Sequence, residues 1–355
     1  MTIGTKALEK GITLLSLDID LLIFGKFEDM EGGVLASATQ VFVNSYTGQP
    51  IIGIVYINKN IDYLSNINLK EYLQSIFQHE FTHVLGFSGY IFERYFDILY
   101  YSYGTYYITS KKVIEVARKY FNCSSIYRIP LENYGGSGTV GSHWEARILL
   151  GEYMNGYLFP EEQVISEFTL ALLEDLGYYK ANYYTGGLMR YGKNKGCKFI
   201  EDNCVNSSAQ IDQFFENEFF DSIHSDYGID NSCSSGRQSR TYNIFWERPS
   251  YYNPEYFNDP KIGGYPPADY CPVPESYPNE TKYNFYVGHC LKGSDEYGSA
   301  IKEKDLSYKI NEEIKLITGE TYSDHSFCYL SSLINKANNS ENYSSTVRAF
   351  CFETM

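Results

Sequence analysis

Residues 78–88 read QHEFTHVLGFS, a segment that sets two histidines four positions apart around a glutamate. On a helix, positions four apart share a face, so the imidazoles of His79 and His83 can reach one tetrahedral ion. Glu80 then stands beside the ion without binding it, placed to take a proton from water. Tyr72, Ile76, His79 and His83 recur at helical spacing, and Gly86 follows as a C-terminal stop. This context predicts a helix over 68–86 and makes a chance HExxH a poor account of the segment.

Upstream, LLSLDIDLLIFG (14–25), VLASATQVFVN (34–44) and IIGIVYIN (51–58) are apolar or alternating runs separated by Gly, Asn and Pro. They read as strands of one sheet leading into the helix. Downstream, residues 89–142 are mixed: an aromatic stretch, a helix from Lys111 to Phe121 after Ser110 as cap, then the flexible run NYGGSGTVGS (133–142). They have the character of an insertion. A further helix is expected from Glu161 to Leu176, ending at Gly177, and beyond Cys197 the chain becomes loop-rich.

A catalytic zinc needs a third protein ligand and an open coordination position. A short-spaced site would place its third histidine three residues beyond Gly86, where this chain has Gly89. The candidates are His143, His224, His289 and His325. His143 is favoured because the glycine-rich run before it can return the chain to the metal, but spacing alone weighs this evenly against an ordinary histidine. Glu145 is the nearest carboxylate substitute. Met154, eleven residues after His143, suits either a turn beneath the ion or a core methionine.

The composition limits the classes of function. A chain of 355 residues with 43% hydrophobic and 21% charged residues is ordinary globular material, large enough for two or three lobes. The formal net charge of −15 argues against a nucleic-acid partner, because such interfaces gain affinity by neutralising phosphates with Lys and Arg. No run reaches the ~20 apolar residues of a membrane-spanning helix, so no transmembrane segment is expected. All eight cysteines lie from Cys123 onward, six of them between Cys204 and Cys351, without a CxxC pair. An even set in a Gly-, Pro- and Tyr-rich region suits disulfides and an oxidising compartment, although 105 pairings are open. The first twenty residues lack a basic start leading into an unbroken apolar run, so no signal peptide is visible.

GGVLASAT (32–39), HEFTHVLGFS (79–88), GGSGTVGSHWEAR (135–147) and EYMNG (152–156), continued by EDLGYYKANY (174–183), MRYGKNKGC (189–197) and DYCPV (269–273), resemble leishmanolysin. This is a metzincin protease with a long insertion between the motif glycine and the third histidine. The similarity runs with gaps from about residue 10 to residue 290. It implies one catalytic Zn2+ held by His79, His83 and His143, Glu80 as base, and Met154 as the Met-turn residue. It also implies bridges Cys123–Cys197 and Cys204–Cys271, leaving Cys233–Cys290 and Cys328–Cys351 by elimination.

The expected fold class is therefore α+β, of metzincin-like zincin type, with a twisted N-terminal sheet and active-site helix (1–88), an insertion (89–142), a second subdomain with the third ligand and Met-turn (143–203), and a Cys-rich lobe (204–355). The expected function is a zinc metalloendopeptidase acting on protein or peptide substrates, with an extended peptide pairing along an edge strand near Val34–Ala38. The expected location is extracellular or cell-surface, with a cytoplasmic chain as the alternative. An adhesion or scaffold protein of the same family is the rival function, and intact Glu80 argues against it. A structural zinc site is weaker still, since those sites close with four ligands rich in Cys. Oligomeric state and peptide preference are not encoded in these motifs.

Overall fold

The Val- and Ile-rich runs pair into one three-stranded sheet of β1 (Leu22–Glu28), β2 (Ala36–Val43) and β3 (Pro50–Asn58), in the order β1-β3-β2. This computed structural model describes residues 19–31, 34–60, 70–136, 138–157, 163–187 and 189–202. It also describes 204, 232–234, 237, 240–243, 266–271, 273–275, 290, 321, 323, 325–331 and 348–353. β1 runs parallel to β3 and β2 runs antiparallel to it. The central strand is buried along nearly its whole length, as expected where both neighbours and one face are covered.

Helix α1 (Lys70–Leu85), which carries the HExxH motif, packs on this sheet. Val84 is fully buried against Val55 and Ile57. The approach is so close that a Cβ at Gly53 would lie 2.3 Å from the Val84 side chain, so only glycine admits the helix there. Gln40 on β2 donates its side-chain amide to the His83 carbonyl, tying the edge strand to the end of α1.

After α1 the chain makes a helical turn at Gly89–Ile91, continues as a π-helical turn at Phe92–Phe96, and enters the hairpin β4 (Leu99–Ser102) and β5 (Thr105–Ile108). By sequence this part reads only as an aromatic stretch. The connecting Tyr103 and Gly104 both have positive φ, 48° and 86°, as a two-residue hairpin turn of the primed type demands. Helix α2 (Lys111–Phe121) and the short β6 (Ile129–Pro130), which pairs with β5, follow. Ser110 occupies the N-cap position of α2 but makes no capping bond. Instead, Asp175 at the end of α3 (Glu167–Asp175) accepts from the amides of Lys112 and Val113 at 2.8 and 3.3 Å. The anionic cap therefore arrives from another helix.

α3 itself starts later than expected. Its N-cap is Ser166, whose hydroxyl accepts from the Phe168 and Thr169 amides. Val164 is drawn into an extended bridge with the 151–153 segment through Val164 N–Gly151 O (2.9 Å) and Tyr153 N–Val164 O (3.0 Å). Gly177, with φ +80°, follows the helix end. A single core joins Phe87, Ile91, Phe92, Ile108 and Val113 to Trp144, Met154, Phe168, Phe199 and Tyr270, so residues 89–142 share packing with the segments that follow them.

In the C-terminal region the described residues form β7 (Ser232–Cys233), β8 (Arg240–Asn243), β9 (Pro274–Glu275) and the antiparallel pair β10 (Ser326–Ser331) and β11 (Arg348–Glu353). The cysteines join as Cys123–Cys197, Cys204–Cys271, Cys233–Cys328 and Cys290–Cys351. The last two correct the pairing reached by elimination. Cys328 and Cys351 sit opposite each other on β10 and β11, and each bonds outward to a different segment, so two adjacent bridges replace one cross-strand link. All four sulfurs belong to one buried cluster.

Protease digestion of oxidised, unreduced protein should therefore release cross-linked peptides joining Cys233 to Cys328 and Cys290 to Cys351, each bridge stabilising the fold by about 2–4 kcal/mol. Mass spectra with Cys233 joined to Cys290, or with most thiols free, would overturn that arrangement.

Candidate metal centre

The end of α1 is shaped by Gly86. Its amide donates to the His83 carbonyl and the Phe87 amide to the Thr82 carbonyl, both at 3.1 Å, the two bonds of a Schellman C-cap. Gly86 has φ +125°, and a Cβ there would lie 2.8 Å from Leu176, so glycine alone fits. The reversal aims the Phe87 carbonyl back at the His83 ring, and His83 Nδ1 donates to it at 2.8 Å.

The other two rings are held in the same way by different segments. His79 Nδ1 donates to the Tyr153 carbonyl at 2.6 Å, and His143 Nδ1 donates to the Thr139 carbonyl at 2.9 Å. His143 sits on a ribbon in which the Glu132 amide donates to its carbonyl and the Gly141 amide donates to Glu132, both at 2.9 Å. Gly156 lies close behind, where a Cβ would stand 2.2 Å from Thr139 and 3.5 Å from the His143 ring.

A carbonyl only accepts, so each Nδ1 carries the hydrogen and each Nε2 presents a lone pair. The three Nε2 atoms face one another at 3.1, 3.1 and 3.2 Å. Three acceptors this close repel unless a cation lies among them. Nitrogens bound ~2.0–2.1 Å from a tetrahedral zinc would be about 3.3 Å apart, so the observed triangle fits zinc. The same histidines form a group able to hold a metal ion.

Burial lowers all three imidazoles, His79 to about 3, His83 to about 4 and His143 well below the ordinary value, with neighbouring histidines adding to the effect for His79 and His143. The rings are thus held in the neutral form that ligation requires. Glu80 is 6% exposed, its Oε2 has no hydrogen-bond partner among the described residues, and burial pushes its carboxyl up to about 8. An orphaned buried carboxyl oxygen, on the same helix as His79 and His83, is an exception that a packed core avoids.

Met154 is fully buried. Its carbonyl accepts from the Trp144 amide at 2.9 Å, next to His143. Its amide donates to Glu152 at 2.5 Å. Glu145 is also buried but belongs to a separate acidic set with Glu132 and Asp269, and burial raises it well above the ordinary carboxylate range. The metal-capable group contains His143 and not Glu145. His325 is exposed and outside that group, and His224 and His289 lie outside the described residues. The carbonyls of Phe87, Thr139 and Tyr153 that orient the rings are not legible in the sequence. Main-chain acceptors leave no side-chain signature; the nearest signal was Gly86, whose reversal exposes one of them.

The family model described as Leishmanolysin (Peptidase_M8) matches residues 5–355. The chain belongs to the leishmanolysin family. It is 31% identical over 278 residues to the leishmanolysin homolog of Crithidia fasciculata, covering 75% of this chain and 40% of that one. It is 29% identical over 281 residues to leishmanolysin of Leishmania tropica, covering 73% and 39%. A leishmanolysin-like peptidase of Drosophila melanogaster is 41% identical over 97 residues, 27% of this chain and 14% of that one. This leishmanolysin-family chain thus spans about two fifths of the length of the curated relatives it matches along most of its own length. Among its described residues, no helix is long and apolar enough to cross a membrane.

Proposed function

We propose that this chain is a zinc-dependent metalloendopeptidase of metzincin type, with His79, His83 and His143 as ligands, Glu80 as general base and Met154 in the turn beneath the ion. The observation that carries the proposal is the triangle of Nε2 lone pairs 3.1–3.2 Å apart, each fixed by an Nδ1–H donated to a carbonyl. Family membership gives the reaction class.

When bound, zinc brings the pKa of water to around 7 and polarises the scissile carbonyl. His79, His83 and His143 would hold it by their neutral Nε2 nitrogens. Glu80 takes the proton from the attacking water on its free carboxylate oxygen and later delivers it to the leaving amide nitrogen. Buried, and on the same helix as two ligands, it has little freedom to turn away. The substrate backbone pairs along β2, one of the two edge strands of the sheet, so an extended internal segment of a protein is the form cleaved. Four disulfides support a location outside the cell or at its surface.

The direct test is metal removal. Dialysis against a zinc chelator should abolish hydrolysis of a denatured protein substrate, and stoichiometric zinc should restore it. Full activity in protein shown to be metal-free would refute the proposal.

A further inference from the structure

The turn after the third histidine contains a buried acid that the proposed chemistry does not use. Glu152 is 2% exposed and its carboxylate is saturated with donors. Oε1 accepts from the Thr169 hydroxyl at 2.6 Å, the Ser166 hydroxyl at 2.8 Å and the Ser166 amide at 3.2 Å. Oε2 accepts from the Met154 amide at 2.5 Å. One side chain therefore fastens the 152–155 turn to the first turn of α3.

That turn holds one of the three rings directly and bonds the residue next to a second. Between Glu152 and the Met154 amide it clamps lies Tyr153, whose carbonyl orients His79 at 2.6 Å and whose hydroxyl meets Thr82 on α1 at 2.8 Å. Met154 in turn accepts from the Trp144 amide. Thr169, which donates to Glu152, accepts from the Trp144 indole N–H at 2.8 Å. Trp144 directly follows His143 and is fully buried. The backbone carbonyl that aims one ligand and the tryptophan beside another thus converge on a single carboxylate.

We infer that Glu152 is a positioning residue for the metal centre, setting the orientation of His79 through the Tyr153 carbonyl and the place of His143 through Thr169 and Trp144. The inference rests on the zinc reading proposed above. The carboxylate touches neither ion nor substrate; it acts by fixing the acceptors and packing to which the ligand rings are bound. A capping partner for α3 alone would need only the bonds to Ser166, and would have no reason to reach Met154 or Thr169.

Chelator competition for zinc and the visible spectrum of the cobalt-loaded full chain, which reports ligand geometry, test this. Loss of an outer-shell partner costs 10–100-fold in metal affinity. Glu152→Ala should show a loss of that size with an altered cobalt spectrum. Glu152→Gln, which keeps the shape and one acceptor, should fall between it and the parent. Thr169→Val, which breaks the link to the Trp144 indole but leaves the Met154 bond, should weaken zinc less than Glu152→Ala does.

Leu172→Ala is the control, since Leu172 is fully buried in the same core and outside the network. It should lower thermal stability yet keep the parent's zinc constant and cobalt spectrum. If Glu152→Ala does not fold, Glu152→Gln and Thr169→Val decide. Zinc constants within twofold of the parent in every folded variant at 152 and 169 would overturn the inference. So would an equal shift in Leu172→Ala, which would reduce the effect to general destabilisation. A parent that binds no zinc, or unchanged zinc in His143→Ala, would count against the metal reading itself.

Discussion

His143→Ala should yield a folded protein that has lost both its zinc and its activity. His79 and His83 lie one turn apart on α1, so their spacing along the helix does not depend on His143, whereas the third nitrogen comes from a segment 60 residues beyond His83. Removing that ring leaves two ligands and two open positions, and affinity should fall by more than the 10–100-fold that loss of an outer-shell partner costs. Water acidity depends on the same ligand set, so residual metal would not restore the rate. Metal analysis and peptide hydrolysis on the purified variant check this, with matching changes at His224, His289 and His325 as comparisons. Full zinc and activity in His143→Ala, with loss in one of the other three, would unseat the assignment.

Glu80→Ala is expected to separate binding from chemistry. The side chain is not in the group that would hold the ion, so zinc stoichiometry should stay at the parent value. The rate should drop by a factor of 10² to 10⁴, equal to about 3–5.5 kcal/mol of barrier. Stability should suffer little, because Oε2 of Glu80 makes no hydrogen bond among the described residues. Near-parent cleavage by zinc-loaded Glu80→Ala would take this carboxylate out of the mechanism.

The parts legible in the sequence were those fixed by local periodicity. Strands β1 to β3 announce themselves by Val and Ile runs, and α1 by its spacing and its glycine stop. Two of the three converging histidines lie in that same short segment, so the placing of His79 and His83 on one face, with the proposed base Glu80 between them in sequence, could be read without tertiary information. The rest depended on contacts between distant residues. Glu161, Glu162 and Gln163 favour helix, yet Val164 is claimed by a bridge to the 151–153 segment, and Ser166 starts the helix instead. Ser110 looks like a cap, while the capping oxygen comes from Asp175. The β4–β5 turn is Tyr103–Gly104, a weak signal beside the Asn-Gly pair that such turns favour. Of the cysteine pairings, two followed from resemblance and two needed the register of β10 against β11.

The ribbon that delivers His143 has a consequence for how the centre assembles. An ion binding His83 and His143 closes a ring of 60 residues, where a short-spaced site would close one of six. Ring-closure entropy grows with the logarithm of length, so the tenfold longer ring costs only about 2 kcal/mol more. That cost need not fall on the ion, because the intervening residues Ile91, Phe92, Ile108, Val113 and Phe121 are already buried in the core that contains Trp144. Hydrophobic burial brings the ends of the ring together beforehand, and the cation meets a cage rather than building one.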